Sequence, residues 1–288
     1  MTPDNRFFIL ISSIFIVGVL QLTADTQIQT KHTNPATGET YNVELVGGFW
    51  AASPEIDLSS DSLGITGADI DFVSDLGLQK KRFREFRLVL RPAQKHKFRI
   101  QYVPIGYQAD TTLERPITFQ DVKYDVKVPV STSINLKAWR FGYEYDFIYR
   151  NRGFLGVIVE AKYADLETKL KSVIGGETIG KQFTRERIPI PAVGGIGRIY
   201  PTRNLSLTVE LTGFRWWDSE DNNASNYGGW LTQGQGQYID LDMYGTANFS
   251  DTFGIQAGYH TLQLGYVIDE DSIAVKLSGP YLSGVLRF

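Results

Sequence analysis

Three histidines are the chain's whole supply of a side chain that titrates near neutral pH. His32 lies in a polar stretch near the N-terminus and His96 beside a tight turn, both poor places for a base. His260, in GYHTLQLGY, sits inside an alternating segment, and Asp240 and Asp242 share one face of the segment before it. These three are the candidates for acid–base work, the histidine serving as base or water activator. His260 lacks the neighbouring serine expected of a lipid deacylase. Asp57, Asp61, Asp69, Asp71 and Asp75 offer oxygen ligands of the kind hard cations take, without the glycine and terminal glutamate of a calcium-binding helix–loop–helix. Solvated loop acids are the plainer reading, and neither a metal nor a cofactor is expected. The chain has no cysteine, which removes disulfides, thiolate metal sites, cysteine nucleophiles and N-terminal lipidation together.

The elements that must carry these residues read as strands. In NLSLTVELTGF, Leu205, Leu207, Val209 and Leu211 point one way and Ser206, Thr208, Glu210 and Thr212 the other. Period two sorts them; a helix would scatter them. YIDLDMYGTANF repeats the pattern, with Ile239, Leu241 and Met243 opposite Asp240 and Asp242. Ten such segments fall near residues 41–51, 82–91, 96–109, 133–149, 154–170, 182–200, 204–217, 237–249, 253–267 and 272–288. Aromatic residues make up 13% of the chain, with 15 Tyr and 17 Phe against 2 Met, a usage that favours strands over helices.

Connections alternate in length. Tight turns near Pro92, Asn151, Pro201 and Asp251 are separated by longer excursions near 52–81, 110–132, 171–181 and 218–236, with a short one at Asp269. Short turns on one rim and long loops on the other are the rhythm of outer-membrane barrels. The N-terminus fits export: Arg6 precedes an apolar run, Phe7 to Leu20, of about fourteen residues, where a membrane-spanning helix needs roughly 20. The expected organisation is a cleaved signal peptide over 1–24, a flexible periplasmic lead-in over 25–40 and a barrel over 41–288. The fold class is all-β, an antiparallel up-and-down transmembrane β-barrel of about ten strands, eight or twelve being the alternatives.

The charged face decides what fills the barrel. Glu85, Arg87, Arg99, Arg140, Glu144, Asp146, Glu160, Lys162, Glu210, Asp240, Asp242 and His260 fall on the face opposite the apolar residues, with Glu44, Arg91 and Arg287 beside them. Their signs nearly balance, which suits a lumen packed with ion pairs, because buried charges persist only when partnered. Leu205, Leu207, Val209, Leu211, Ile239, Leu241 and Met243 then face lipid. Tyr149, Phe154, Tyr200, Phe249 and Phe253 near the tight turns, and Trp50, Trp216 and Trp217 near the long loops, are expected as two aromatic girdles. A soluble exported carrier would instead place its apolar face inside.

The chain ends in YLSGVLRF, with Leu282, Gly284, Leu286 and Phe288 on one face. This resembles the C-terminal strand by which outer-membrane barrels are recognised by their assembly machinery, with Leu286 and Phe288 as the signal. With the aspartate-rich stretch GADIDFVSDLGL, the chain is similar to small barrels of the OmpA/OmpW-like kind. The resemblance implies an outer-membrane location, contact with outer-membrane lipid and lipopolysaccharide, and a structural, surface-interaction or narrow small-solute channel role without enzymatic activity. Its net charge of −3 gives no basic signature for nucleic acid. The rival is an outer-leaflet barrel hydrolase, acting on lipid or peptide through His260 with Asp240 or Asp242.

Overall fold

A computed structural model describes residues 35–59, 69–119, 122–174, 177–216, 235–268 and 271–288. The signal segment, the lead-in as far as residue 34, Asp61 and Trp217 lie outside the described residues. So do most of the excursion near 218–236 and the side chain of Trp216.

Ten long antiparallel strands close on themselves. They are β1 (Val43–Ser59), β3 (Lys81–Ala93), β4 (His96–Thr112), β7 (Pro129–Arg150), β8 (Gly153–Ile174), β9 (Glu177–Thr202), β10 (Leu205–Trp216), β11 (Gln235–Asn248), β12 (Phe253–Ile268) and β13 (Asp271–Arg287). Each pairs with the next, and β13 returns to β1, with Glu44 opposite Arg287 and Leu58 opposite Ile273. Closure leaves no edge for another strand to extend. Three short strands sit in the long connections: β2 (Asp69–Asp71) on β1, and the hairpin of β5 (Ile117–Phe119) and β6 (Val122–Tyr124).

The ten segments read from alternation are the ten barrel strands, but several run further than alternation showed. The excursion expected near 171–181 is strand on both sides, β8 reaching Ile174 and β9 starting at Glu177. Likewise β1 continues to Ser59. At about 3.3 Å per residue and a tilt near 45°, the 26 residues of β9 rise about 60 Å, whereas an outer-membrane apolar band is about 25 Å tall. On its longest strands the barrel outreaches the layer it would cross, whereas β10, with 12 residues, is less than half as long as β9.

The extra height has the opposite patterning. Towards the tight turns, outward positions are apolar: Leu90, Leu88 and Phe86 on β3, Phe98, Ile100 and Tyr102 on β4, Phe141 and Trp139 on β7, Leu286 and Leu282 on β13. The inward positions beside them are Arg87 and Glu85, Arg99 and Gln101, Arg140, and Ser283. One step towards the long loops both faces change. Outward residues become Arg84 and Arg82, Gln108 and Asp110, Lys137 and Asn135, and Ser278 and Lys276. Inward ones become Phe83, then Val103, Ile105 and Tyr107, then Ile134 and Val130, and Leu277, all buried in one apolar cluster. The turn-side half is apolar outside and charged inside; the loop-side half is the reverse.

A segment from the first long loop completes the apolar cluster. Ile70, Phe72, Leu76 and Leu78 are buried in it with Trp50, Phe83 and Leu113. At about 1.5–3 kcal/mol for each fully buried apolar side chain, these four anchor the segment firmly. Asp71 Oδ1 accepts from the Val73 and Ser74 amides, at 2.8 and 3.2 Å, and folds the turn. Gly77, at φ 71°, reverses the chain where a side chain would be strained. Asp75 accepts from Arg115 of the next loop, Nε at 2.8 Å and Nη2 at 2.5 Å. Asp71 and Asp75 thus serve the fold of this segment. Among the described residues no group of three or more His, Cys, Asp or Glu side chains is arranged to hold a metal ion.

At the opposite end, residues 35–40 are not the flexible lead-in expected from their polarity. Ala36 and Glu39 are buried. The Thr37 amide donates to Arg203 O at 2.9 Å, the Gly38 amide to Asp251 at 2.9 Å, and Asn248 Nδ2 to Thr37 O at 2.8 Å. The segment is held at the turn-side end by these bonds and by the ion pair of Glu39 with Arg198.

Candidate functional site

The charged lumen is the largest concentration of reactive groups in the molecule. Neighbouring strands project their inward positions at one level, so residues far apart in sequence meet. Arg99 on β4 donates to Glu210 on β10 (2.6 and 2.8 Å) and to Glu144 on β7 (3.2 Å). Lys97 pairs with Glu144 at 2.6 Å and Asp146 at 2.9 Å, its ammonium lying 3.7 Å from the centre of the Phe154 ring. Arg140 binds Glu160, and Glu210 at 3.5 Å. Lys162 contacts Glu160 at 2.9 Å, Tyr238 OH at 2.8 Å and Asp240. Arg287 donates to Glu44 at 2.6 Å.

All twelve residues assigned to the lumen network from sequence are buried there. Glu85 differs from the expected ion-pair role: it accepts from Gln101 at 2.6 Å through Oε1, and its Oε2 is buried without a hydrogen-bond partner. Arg87 is 4.0 Å from Asp242 and donates to Gln256 at 2.9 Å. Alternation singled out neither Lys97, Arg198 and Glu39 nor Tyr281, whereas Tyr244 shares the face of Asp240 and Asp242 in YIDLDMYGTANF. Tyr244 donates to Glu210 and Tyr281 to Asp242, both at 2.9 Å. Parity could have found Lys97 and Arg198; Glu39, outside any strand, gave no signal.

Glu39 closes the turn-side end of the network. It binds Arg198 at 2.9 Å and Arg91 at 3.5 Å, and Tyr200 donates to it. Burial alone would raise its pKa, but Arg198, Lys97 and the Tyr200 hydroxyl hold it below the usual 4.5. A void beside Arg87, Arg99 and Arg198 has room for about one water molecule.

Among the described residues the buried carboxylates are Glu39, Glu44, Glu85, Glu144, Asp146, Glu160, Glu210, Asp240 and Asp242; the buried cations are Arg87, Arg91, Lys97, Arg99, Arg140, Lys162, Arg198 and Arg287. Such near-parity is what a low-dielectric interior demands. His260 joins through Asp240, its Nε2 2.8 Å from Oδ1. It lies under Trp50, ring centroids 4.6 Å apart, and Trp50 Nε1 donates to Gly279 O at 3.1 Å. The geometry brings His260 and Asp240 together as the sequence suggested. It also gives Asp240 to Lys162 and Tyr238, and buries the imidazole. A base that must reach substrate needs an open face.

Outside, Leu205, Leu207, Val209 and Met243 are exposed and Leu211, Ile239 and Leu241 half-buried, all on the outer face. The expected girdles need correction. Trp50, Phe154 and Tyr200 point inward and are buried, because their parity matches the charged residues. A register shift between Tyr145 and Ile148 leaves Phe147 and Ile148 both outward and packs Tyr149 against Phe154, under Arg91. The exposed aromatics include Phe49, Phe86, Phe98, Trp139, Phe141, Phe249, Phe253, Tyr259 and Phe288. Leu286 is exposed on β13, and Phe288 exchanges backbone hydrogen bonds with Val43 at the seam.

The fold is that of the outer-membrane β-barrels. The chain is similar to the outer membrane protease OmpT from Escherichia coli, with a TM-score of 0.58 at 6% identity over 89% of this chain and 99% of that one. It also matches the translocator domain of the autotransporter NalP from Neisseria meningitidis (TM-score 0.46, 9% identity, 96% of each chain). A third match is the toluene transporter TodX from Pseudomonas putida (0.37, 7%, 89% and 92%). At such identities the first likeness is one of fold alone, and the two lower scores carry no argument. No protein-family model matches the sequence, and no curated protein matches it.

Proposed function

We propose that the chain is a non-enzymatic outer-membrane barrel, closed to free solute flow, whose loop-side half stands clear of the bilayer as a platform for surface interaction. Its tight turns face the periplasm and its long loops the outside, as in bacterial outer-membrane barrels. One observation carries the reading: the patterning inverts at one level on successive strands, from lipid-facing outside and charged inside to water-facing outside and apolar inside. That level is where the outer surface of the bilayer would lie. Below it, ion pairs occupy the lumen; above it, an apolar core does. Such packing among the described residues supports a lumen without a wide water path. The narrower OmpA/OmpW-like affiliation rests on the Leu286–Phe288 terminus and the Asp75–Leu78 stretch.

Conductance tests the closure. Purified barrel in planar bilayers should show small or no conductance, and large, steady, porin-like currents would overturn it. The hydrolase reading is carried by the His260–Asp240 contact and opposed by the burial of both groups. Lipid or peptide turnover that disappears in His260→Gln would establish it.

A further inference from the structure

We infer that Arg82 and Arg84, with Lys80 and Lys81 beside them, form a docking site for an anionic, phosphate-bearing lipid headgroup of the outer leaflet. The inference rests on the membrane placement proposed above. Arg84 lies opposite Phe49 in the β1–β3 register and Arg82 opposite Ala51. Phe49 and Phe86 are exposed members of the apolar band, so the two guanidinium groups begin where that band ends. All four cations are exposed, at the start of β3 in the run KKRFR.

Among the described residues none of the four is in an ion pair. Across from Arg84 and Arg82, β1 offers Phe49 and Ala51, and the next outward pair down β3 and β4 is Phe86 with Tyr102. The nearest acid on the outward face of β1, Glu55, is held by Lys276 at 2.8 and 3.0 Å. Other loop-side cations have acids in reach: Arg115 has Asp75, and Lys169 has Glu167. Here four positive charges within five residues stand together at the apolar boundary.

A guanidinium there extends along apolar surface and delivers its charge at headgroup depth. Its planar fork matches a phosphate with two parallel hydrogen bonds. Chains of the same lipid would lie along Phe49 and Phe86. A soluble anion could use the charge but not the band, which is why an amphiphile is the fitting partner.

Binding of fluorescent phosphatidylglycerol to the whole protein in non-ionic detergent tests the site. An uncharged glycolipid of equal chain length and inorganic phosphate serve as competitors. Wild type should bind phosphatidylglycerol, with little displacement by either. Arg82→Gln/Arg84→Gln should weaken binding about tenfold or more, while Arg82→Lys/Arg84→Lys keeps most of it. Gel mobility of unheated samples reports that each variant is folded. Equal binding by the glutamine variant would overturn the site, as would equal competition by the uncharged lipid. Displacement by inorganic phosphate would overturn the lipid in favour of a soluble anion. Failure of the membrane placement shows separately, as a chain that stays soluble and monomeric without detergent.

Discussion

The two halves of the barrel are built from the same strands with their faces exchanged. On β4, Phe98, Ile100 and Tyr102 look outward while Lys97, Arg99 and Gln101 look inward; a few residues on, Val103, Ile105 and Tyr107 look inward while Gln108 and Asp110 meet solvent. The difference teaches that a strand's hydrophobic face is set by which side meets water, and that one strand can answer to two surroundings. In the turn-side half the lumen is filled by buried ion pairs, none of whose members can be removed without leaving an uncompensated charge. In the loop-side half stability comes from apolar packing, as in a soluble protein.

Removing a lumen cation should have the largest effect. Arg99→Ala leaves Glu144 and Glu210 without the guanidinium that bridges them and should cost about 3–5 kcal/mol. Arg140→Ala should follow it. Lys137→Ala, outward and exposed on the same strand as Arg140, should stay within about 0.5 kcal/mol. Urea midpoints of the folded barrel in lipid vesicles compare the three, and equal midpoints would break the contrast.

The loop-side core should respond locally. Leu78→Ala should cost about 2–5 kcal/mol by the cavity it leaves. Limited proteolysis should then cut near residues 69–78 while the turn-side strands stay protected. Global loss of the barrel would mean that the halves do not stabilise separately.

Position along the strand should decide the cost of a charge on the outside. Val209→Arg should destabilise by about 2–4 kcal/mol if it lies near the bilayer midplane. Gln237→Arg, outward on β11 beyond Ile239, should be almost silent. Matching penalties would place the band elsewhere.

Acid should act on the turn-side plug, more weakly. The Glu39 pKa is lowered on folding, so its contribution is present above the usual 4.5 and fades as pH falls through the folded value. The protection factors of the Thr37 and Gly38 amides, corrected for the intrinsic slowing of exchange in acid, should therefore fall as pH falls. Glu39→Gln should remove most of that dependence, and an unchanged profile in the variant would exclude Glu39 as its source.

Strand count, order and the outward row from Leu205 to Leu211 were legible because period two survives any environment. The inversion was not. Where the faces exchange, both are apolar for a few residues, and Tyr102 to Ile105 reads as one continuous run. Residues 171–181, KSVIGGETIGK, read as loop because the sequence there is largely polar and broken by two glycines. Residues 35–40 read as lead-in because their order comes from Arg198, Tyr200 and Asp251, far along the chain. In the site, parity delivered the charges but not their partners, and the Tyr145–Ile148 shift turned Tyr149 inward against the count.

Cysteine labelling down one strand tests the inversion most directly, and the absence of native cysteine leaves the background clean. Single cysteines at the outward β7 positions Ser131, Ser133, Asn135, Lys137, Trp139, Phe141 and Tyr143 would be treated in intact cells with a membrane-impermeant thiol reagent. The expected result is ready labelling from Ser131 to Lys137 and protection from Trp139 to Tyr143. Labelling along the whole series, or protection along all of it, would contradict a barrel that leaves the bilayer between Trp139 and Lys137.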